Sequence, residues 1–592
     1  MSVAIVAFSF LIVSTLHASP APPEVCPRPA VGAKIGEPPD LRTTNGILEL
    51  TLTAANARQP DGTTRFCYTD QAGHESPTLR VHPGDEVILH LKNGLKNLQP
   101  ASTAAPHIDA AGPDSSRKLC TPTATMSLVS TNLHFHGLTV PPTCGKDDVL
   151  RTSVQPGDAA FEYRFRIPDD EASGLYWYHP HIHGFSKQQL LGGASGALIV
   201  EGLERARPEV AGLPERVFII RDQDLIHSNA PPSASEPVIP KFMVDRDGDA
   251  ANNGTGFGKP AKDLSINYVP VPYPDYPPGV IMMRPGQRQL WRVLNASALT
   301  YLNLAVLYNR SPQPLGIVAM DGVPIDQNGR GDSVIWQTHL GIPPGARVEF
   351  IVKGPLEGQA GLLVTRTVDT GPGGENDPNR ALATIIASPD APQPQSRLPQ
   401  STPPRPASQT WLGDIPPVRV RHLYFSEKLA DPNDPTSAIE FYLTVDGQTP
   451  KMFEMNSDLP NIVAHQGTVE DWIIENRSSE LHAFHIHQLH FLLLQYMERD
   501  VHEDFLRDTV NVPYFNGRTL TYPSIRVRMD FRDPDTVGTF PYHCHLLEHE
   551  DKGMMGTIQV LPSVSNPDLP IRNTAGSPDH VKTLHNVKTI ER

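Results

Sequence analysis

The chain has 592 residues, too many for a single hydrophobic core, so it divides into several domains. Its 61 Pro and 44 Gly punctuate short Val/Ile/Leu/Thr runs, which points away from helical bundles and towards β-sandwiches, and 19% charged residues is too few for general disorder. A formal net charge of −15 argues against nucleic acid or an anionic membrane surface as partner.

Residues 1–19 read as an export signal. The apolar run over 3–16 precedes small residues and prolines, is too short to span a bilayer, and has no Lys or Arg before it. The expected location is therefore periplasmic or extracellular, secreted rather than anchored. Four of the five cysteines, Cys26, Cys67, Cys120 and Cys144, fall in the first 144 residues. An even number in an exported region suits two disulfide bonds, with three possible connectivities.

A first domain is expected over residues 38–203, with strand regions at 47–54 and 78–91, the second broken by a Pro-Gly-Asp-Glu turn at 83–86. Residues 97–127, rich in Ala, Ser, Pro and Thr, read as a surface insertion. The run LGGASGALIVEG closes this domain, its glycines permitting tight turns beside a buried strand. A second domain over 204–388 has strand-like runs at 216–222, 279–283, 289–295 and 347–352 and no paired histidines. Asn253, Asn295, Asn309 and Asn476 lie in N-x-S/T sequons. Residues 389–417, dense in Pro, Gln and Ser, form a stiff, solvated linker. A third domain over 418–562 follows, with apolar or alternating runs at 439–445, 468–476 and 484–494, and residues 563–592 are a polar tail. There is no short solenoid repeat, but Pro-Gly turns recur before strands, at 83–84 and 343–345, an echo of whole domains.

The chemistry concentrates in residues 541–556, PYHCHLLEHEDKGMMG. Alternate side chains of a strand face opposite sides, so His543 and His545 point one way and Cys544 the other. One tripeptide can thus serve two metal sites. The following turn returns His549 towards Cys544, and Met554 supplies a thioether, with Met555 as competitor on the other parity. Cys, His and a distal Met are the ligands of a blue-copper site that lacks one imidazole. The segment LHAFHIHQLH offers it in His482, while His485 and His487 share the opposite strand face. Two further closely spaced groups, His134/His136 in LHFHGL and His179/His181/His183 in WYHPHIHG, complete the pattern.

The segments HFHG, WYHPHIHG, HAFHIH and HCHLLEHEDKGMM resemble, in order and spacing, the four copper motifs of the three-domain multicopper oxidases, bacterial laccase-like branch. The resemblance covers nearly the whole chain. It implies an all-β fold of three consecutive cupredoxin-like Greek-key β-sandwich domains, the middle one a spacer without copper. Four copper ions are implied, one of type 1, one of type 2 and two of type 3. By motif position Cys544, His482 and His549 would hold the type 1 copper with Met554 axial. His134 and His485 would hold type 2, and His136, His179, His181, His487, His543 and His545 the type 3 pair. His183 and His490 fall outside the motif positions. Electrons would pass from substrate through Cys544 to His543 and His545, and dioxygen would be reduced to water.

That reduction needs protons, and Glu550 and Asp147 are the expected relays, with Glu548 and Asp148 as rivals. The implied partners are dioxygen and a small reducing substrate, a phenol or aromatic amine, in a monomeric protein. Metal-ion oxidation is the alternative. It is disfavoured because the 12 Met are scattered, with no cluster beyond Met282-Met283 and Met554-Met555. A non-catalytic copper-binding protein is the other alternative, and a storage protein has no need of a cysteine flanked by two cluster ligands.

Overall fold

A computed structural model describes residues 24–60, 62–98, 120, 126–231, 250–394, 410–434, 437–455 and 459–563. The expected export signal, most of the 97–127 insertion, the centre of the Pro-rich linker and nearly all of the tail lie outside the described residues. Among the described residues no helix is long and apolar enough to cross a membrane.

The strands form six sheets, packed as three pairs in chain order. Between residues 40 and 200, a four-stranded sheet built on Ile47–Arg58 and Glu86–Asn93 packs against a five-stranded sheet. That second sheet ends in Gly174–His179 and His134–His136. Between 215 and 387 an eight-stranded and a six-stranded sheet pair up, and between 419 and 561 a six-stranded and a five-stranded one. Ile47–Arg58 shows why such segments become strands. Its Leu48, Leu50, Leu52 and Ala54 are buried while the residues between them face outwards, a period of two that buries one face of a sheet.

A shared pattern marks the three pairs as variations on one plan. In each, a long strand runs parallel to a neighbour: Ile47–Arg58 with Glu86–Asn93, Glu215–Gln223 with Arg288–Asn295, and Arg419–Leu429 with Val469–Asn476. The largest apolar cluster joins the third pair to the other two, since Trp177, Ile199, Val217 and Leu294 pack in it with Trp472, Phe484 and Cys544. The sandwiches therefore meet across a dry interior.

The expected strand over 78–91 divides into Thr78–Val81 and Glu86–Asn93 around Gly84, whose φ is +88°. The run at 484–494 is not one strand. It splits into His482–Ile486, in the five-stranded sheet, and Phe491–Tyr496, in the six-stranded one. Gln488, with φ of +60°, makes the crossing, and a left-handed residue cannot continue a strand. Two disulfides form, Cys26–Cys67 and Cys120–Cys144, leaving Cys544 as a free, buried thiol. Of the four sequons, Asn295 and Asn476 are fully buried, their amides donating to the carbonyls of Thr300 and Ile342 and of Glu480 and Val512. In the folded chain they are structural corners, unavailable to a glycan.

Candidate metal centres

Strand Gly538–Cys544 lies between Met555–Leu561 and His482–Ile486, with Phe484 opposite Cys544 and His485 opposite His543. The backbone then turns into a short helix, Leu547–Asp551, which carries His549 back. Cys544 Sγ thereby stands 3.5 Å from His482 Nδ1 and 3.7 Å from His549 Nδ1, and the two nitrogens are 3.3 Å apart. Met554 is buried; its amide donates to the His549 carbonyl and its carbonyl accepts from the Cys544 amide. Met555 pairs directly with His543 and so shares that face of the sheet, which leaves Met554 on the Cys544 side.

The far nitrogens of the two imidazoles are engaged elsewhere. His482 Nε2 lies 2.8 Å from Ser478 Oγ and 3.2 Å from Glu427 Oε1, and His549 Nε2 lies 3.3 Å from Glu480 Oε1. Acceptors on Nε2 leave Nδ1 as the lone-pair nitrogen, aimed at the sulfur. Burial pushes the Cys544 thiol up to about 12, so the thiolate requires a cation beside it. One thiolate and two imidazoles in a dry pocket fit copper.

The second centre gathers eight histidines from two sandwiches. His134 pairs with His179 across the first five-stranded sheet, and the third sandwich presents His485, His487, His543 and His545 against them. His134 stacks on His487 with ring centroids 3.7 Å apart, and His136 on His485 at 3.9 Å. Each sandwich supplies one ring of each stack, so neither builds the cluster alone.

Most of these rings are held from behind. His134 Nδ1 donates to Asp147 at 2.9 Å, His179 Nδ1 to the Pro180 carbonyl at 2.9 Å, His485 Nδ1 to the Asp508 carbonyl at 2.8 Å, and His543 Nδ1 to the Cys544 carbonyl at 2.9 Å. His136 is held through the other nitrogen, its Nε2 standing 3.2 Å from Asp508 Oδ1. The opposite nitrogens, His134 Nε2, His136 Nδ1, His179 Nε2 and His485 Nε2, are buried with no hydrogen-bond partner, as are both nitrogens of His545. His181 and His487 turn Nε2 towards His543 Nε2, at 3.5 and 3.2 Å. Orphaned imidazole nitrogens converging in a sealed site are costly unless they meet a cation. Burial holds these imidazoles below their ordinary range and hence neutral, the form that ligates metal. The donor set fits a copper cluster.

Besides Asp508, two carboxylates touch the cluster. Asp147 accepts from His134 and from the Phe135 amide, and Glu550 lies 3.5 Å from His181 Nε2 and 3.3 Å from His543 Nδ1. Burial raises both well above the ordinary carboxylate range. Glu548 instead pairs with Lys187 and Lys552 beside a surface pocket, and Asp148 is pushed up to about 6 by burial, with Arg151 beside it. His490 is partly buried and donates to the Asp321 carbonyl, while His183 meets the Phe453 ring edge-on.

Sequence reasoning passed over several groups here: Asp508 and Thr509 behind His136 and His485, Glu427 and Glu480 behind His482 and His549, and Gln488, which donates to Asp147. Only Gln488, directly after the His-x-His pair, carried a positional signal. A cleft of about 1560 Å³, lined among others by Glu171, Arg207, Gln488, His490 and Arg532, reaches this side of the cluster.

Three cupredoxin-like sandwiches, a buried Cys-His-His centre and an eight-histidine cluster joined to it by one tripeptide define a copper-binding oxidase built on the multicopper plan. Comparison with known proteins agrees. Family models described as multicopper oxidase match residues 127–205 and 426–564. A multicopper oxidase of Staphylococcus epidermidis is 22% identical over 536 residues, covering 88% of this chain and 90% of that protein. Among solved structures, a multicopper oxidase from Campylobacter jejuni, described as a metallo-oxidase, aligns with TM-score 0.59 and 22% identity over 90% of this chain and 96% of that one. A laccase-like multi-copper oxidase from the lignin-degrading bacterium Ochrobactrum sp., with oxidase activity towards lignin model compounds, aligns with TM-score 0.58 and 20% identity over 89% and 100%. The matched regions make the chain a multicopper oxidase, an oxidoreductase that uses oxygen as acceptor, and the aligned structures share its fold.

Proposed function

We propose that this protein removes single electrons from phenols or aromatic amines at the Cys544 centre and uses them to reduce dioxygen to water at the histidine cluster. The observation that carries the reading is the tripeptide His543-Cys544-His545, which joins the two centres by covalent bonds alone. Cys544, His482, His549 and Met554 would hold a type 1 copper. His134 and His485 would hold type 2, and His136, His179, His181, His487, His543 and His545 the type 3 pair, four ions in all. Copper bound in these sites supplies reversible one-electron transfer at the first and multi-electron dioxygen chemistry at the second.

The chain's own groups do the rest. The acceptors on Nε2 of His482 and His549 fix both rings with Nδ1 towards sulfur. The dry interior around Cys544 excludes water from the thiolate. Asp147 and Glu550, whose carboxyls burial raises above the ordinary range, stand against ligand imidazoles, and in this reading they relay protons to the cluster. Gln488, which donates to Asp147 and lines the cleft, is the connection from Asp147 to solvent water. The middle sandwich carries no copper. The protein is exported and acts as a monomer, without a membrane partner.

One observation favours a second reading, oxidation of a cation such as cuprous ion. Glu427 and Glu480 lie against the outer nitrogens of the type 1 histidines. Burial works against ionised Glu427, but the hydrogen bond and charge of His482 outweigh it and hold it down to about 2. Burial first, then the Glu427 charge, drives Glu480 the other way. A negative charge at the electron entry suits a metal ion better than a neutral phenol.

The test is oxygen uptake by copper-loaded protein on a methoxyphenol and on cuprous ion, with Cys544→Ser as control. Uptake on the phenol that exceeds uptake on cuprous ion and vanishes with the blue thiolate band in Cys544→Ser supports the first reading. Uptake chiefly on cuprous ion moves the function to metal oxidation. A protein that binds copper without uptake on either donor refutes both.

A further inference from the structure

The middle sandwich reaches the histidine cluster. Arg347 opens strand Arg347–Lys353 and is completely buried. Its Nη1 donates to Asp508 Oδ1 at 2.8 Å, and its Nη2 lies 2.7 Å from Asp508 Oδ2. The same guanidinium donates to the Asp321 carbonyl at 2.8 Å and, through Nε, to the Leu175 carbonyl at 3.0 Å. Leu175 belongs to strand Gly174–His179 of the first sandwich, and Asp508 precedes strand Thr509–Val512 of the third. One side chain therefore fastens all three sandwiches at the edge of the cluster.

Asp508 in turn sets two cluster rings. Its Oδ1 stands 3.2 Å from His136 Nε2, and its carbonyl accepts from His485 Nδ1 at 2.8 Å. Thr509 Oγ1 donates to the same Oδ1 at 2.8 Å. These bonds decide which nitrogen of each ring is left for metal: Nδ1 in His136 and Nε2 in His485, the two that are buried without partners. Asp321 holds Asp508 from the other side, its Oδ2 lying 3.3 Å from the amides of both Asp508 and Thr509, while its Oδ1 accepts the Arg347 amide at 2.9 Å.

We propose that Arg347 is a positioning residue for the copper cluster: by gripping both oxygens of Asp508 it fixes the tautomer and ring orientation of His136 and His485. The middle sandwich, although it supplies no ligand, thereby takes part in building the site. A guanidinium is required because its planar fork meets a carboxylate with two parallel N–H groups while its remaining N–H groups bond carbonyls, which an ammonium cannot match. The inference rests on the proposal that the cluster holds copper.

The experiment uses the full, copper-loaded chain and reads copper bound per chain, the type 2 paramagnetic resonance signal and the blue thiolate absorption. Arg347→Met, Arg347→Lys and the control Ile281→Ala, a core truncation in the opposite sheet of the same sandwich, are compared. Losing such an outer partner weakens metal binding about 10- to 100-fold. Arg347→Met is expected to lose cluster copper and the type 2 signal by that factor while the blue band, made by Cys544 with His482 and His549 on the other face of the strand, persists. Arg347→Lys should recover part of the loss, and Ile281→Ala should melt earlier with its cluster copper intact. If Arg347→Met does not accumulate as folded protein, Arg347→Lys decides, with a weaker and altered type 2 signal expected. Wild-type copper affinity and signal in the variants, accompanied only by lower melting as in Ile281→Ala, would overturn the inference. A wild-type protein that takes up no cluster copper would instead overturn the function proposed above.

Discussion

Gly345 is a position where a single carbon should strike a cluster ring directly. Its φ is +87°, and a Cβ built there would lie 2.8 Å from Cε1 and Nε2 of His545 and 2.9 Å from Cδ2. Ordinary carbon contacts sit at about 3.5–4.0 Å, so Gly345→Ala requires the ring or the turn to yield by about 0.7–1.2 Å. The ring has little room to do so: it faces Trp177, His179, His136 and His485 at centroid distances of 5.0 to 5.8 Å and stacks with His543 at 5.6 Å. Overpacking of this kind costs about 1–3 kcal/mol, and the left-handed backbone adds roughly 1–2 kcal/mol for alanine. The sum, about 2–5 kcal/mol, falls on the middle and third sandwiches together. Differential scanning of the copper-free protein should show Gly345→Ala melting about 4–20 °C lower, using roughly 2–4 °C per kcal/mol for a domain of this size. The copper-loaded protein should lose more, because the displaced ring is a proposed ligand, and cluster copper should fall while the blue band remains. Wild-type melting together with full copper content would refute the reasoning.

Two further outcomes are expected. The disulfides close loops with sequence separations of 41 and 24, for which chain entropy gives about 4 and about 3 kcal/mol, so Cys26→Ser should lower the melting temperature of the first sandwich slightly more than Cys144→Ser. Equal melting with and without reductant would contradict this. Glu171 accepts from the Thr139 amide and the Tyr176 hydroxyl, yet burial pushes it from 4.5 up to about 7. Its folded pKa is the higher one, so the folded state binds the extra proton. Its contribution is complete below about pH 4.5 and is lost as pH rises through about 7, roughly 3 kcal/mol at most. Melting curves across this range should be flatter for Glu171→Gln than for wild type; identical slopes would show that Glu171 is ionised throughout.

The candidate metal centres were legible because their chemistry is written at short range. Strand parity alone separates His543 and His545 from Cys544, and the register of Met555 opposite His543 follows the same rule. The split of residues 484–494 was not legible, since a stretch that alternates and then runs apolar reads as one strand and nothing in the composition marks Gln488 as left-handed. The buried ion groups escaped for a different reason. Arg347, Asp321 and Asp508 come from distant points of the chain and have no mutual spacing, so only tertiary packing reveals that they act together. Glu427 and Glu480 are similar: each looks like a surface acid until the sheets place it behind an imidazole. Disulfide pairing also needed the fold, since four cysteines permit three patterns.

The division of the cluster between the first and third sandwiches has a consequence in time. About 400 residues separate His134 from His545, so at ordinary translation rates the early histidines precede the late ones by roughly 20–80 s. Throughout that interval a nascent chain offers only half a cage. On the function proposed above, an ion met by the early pairs would find too few ligands to be held, and only completion of the chain would close the cage around it. A prematurely terminated product would carry half of the cluster at most.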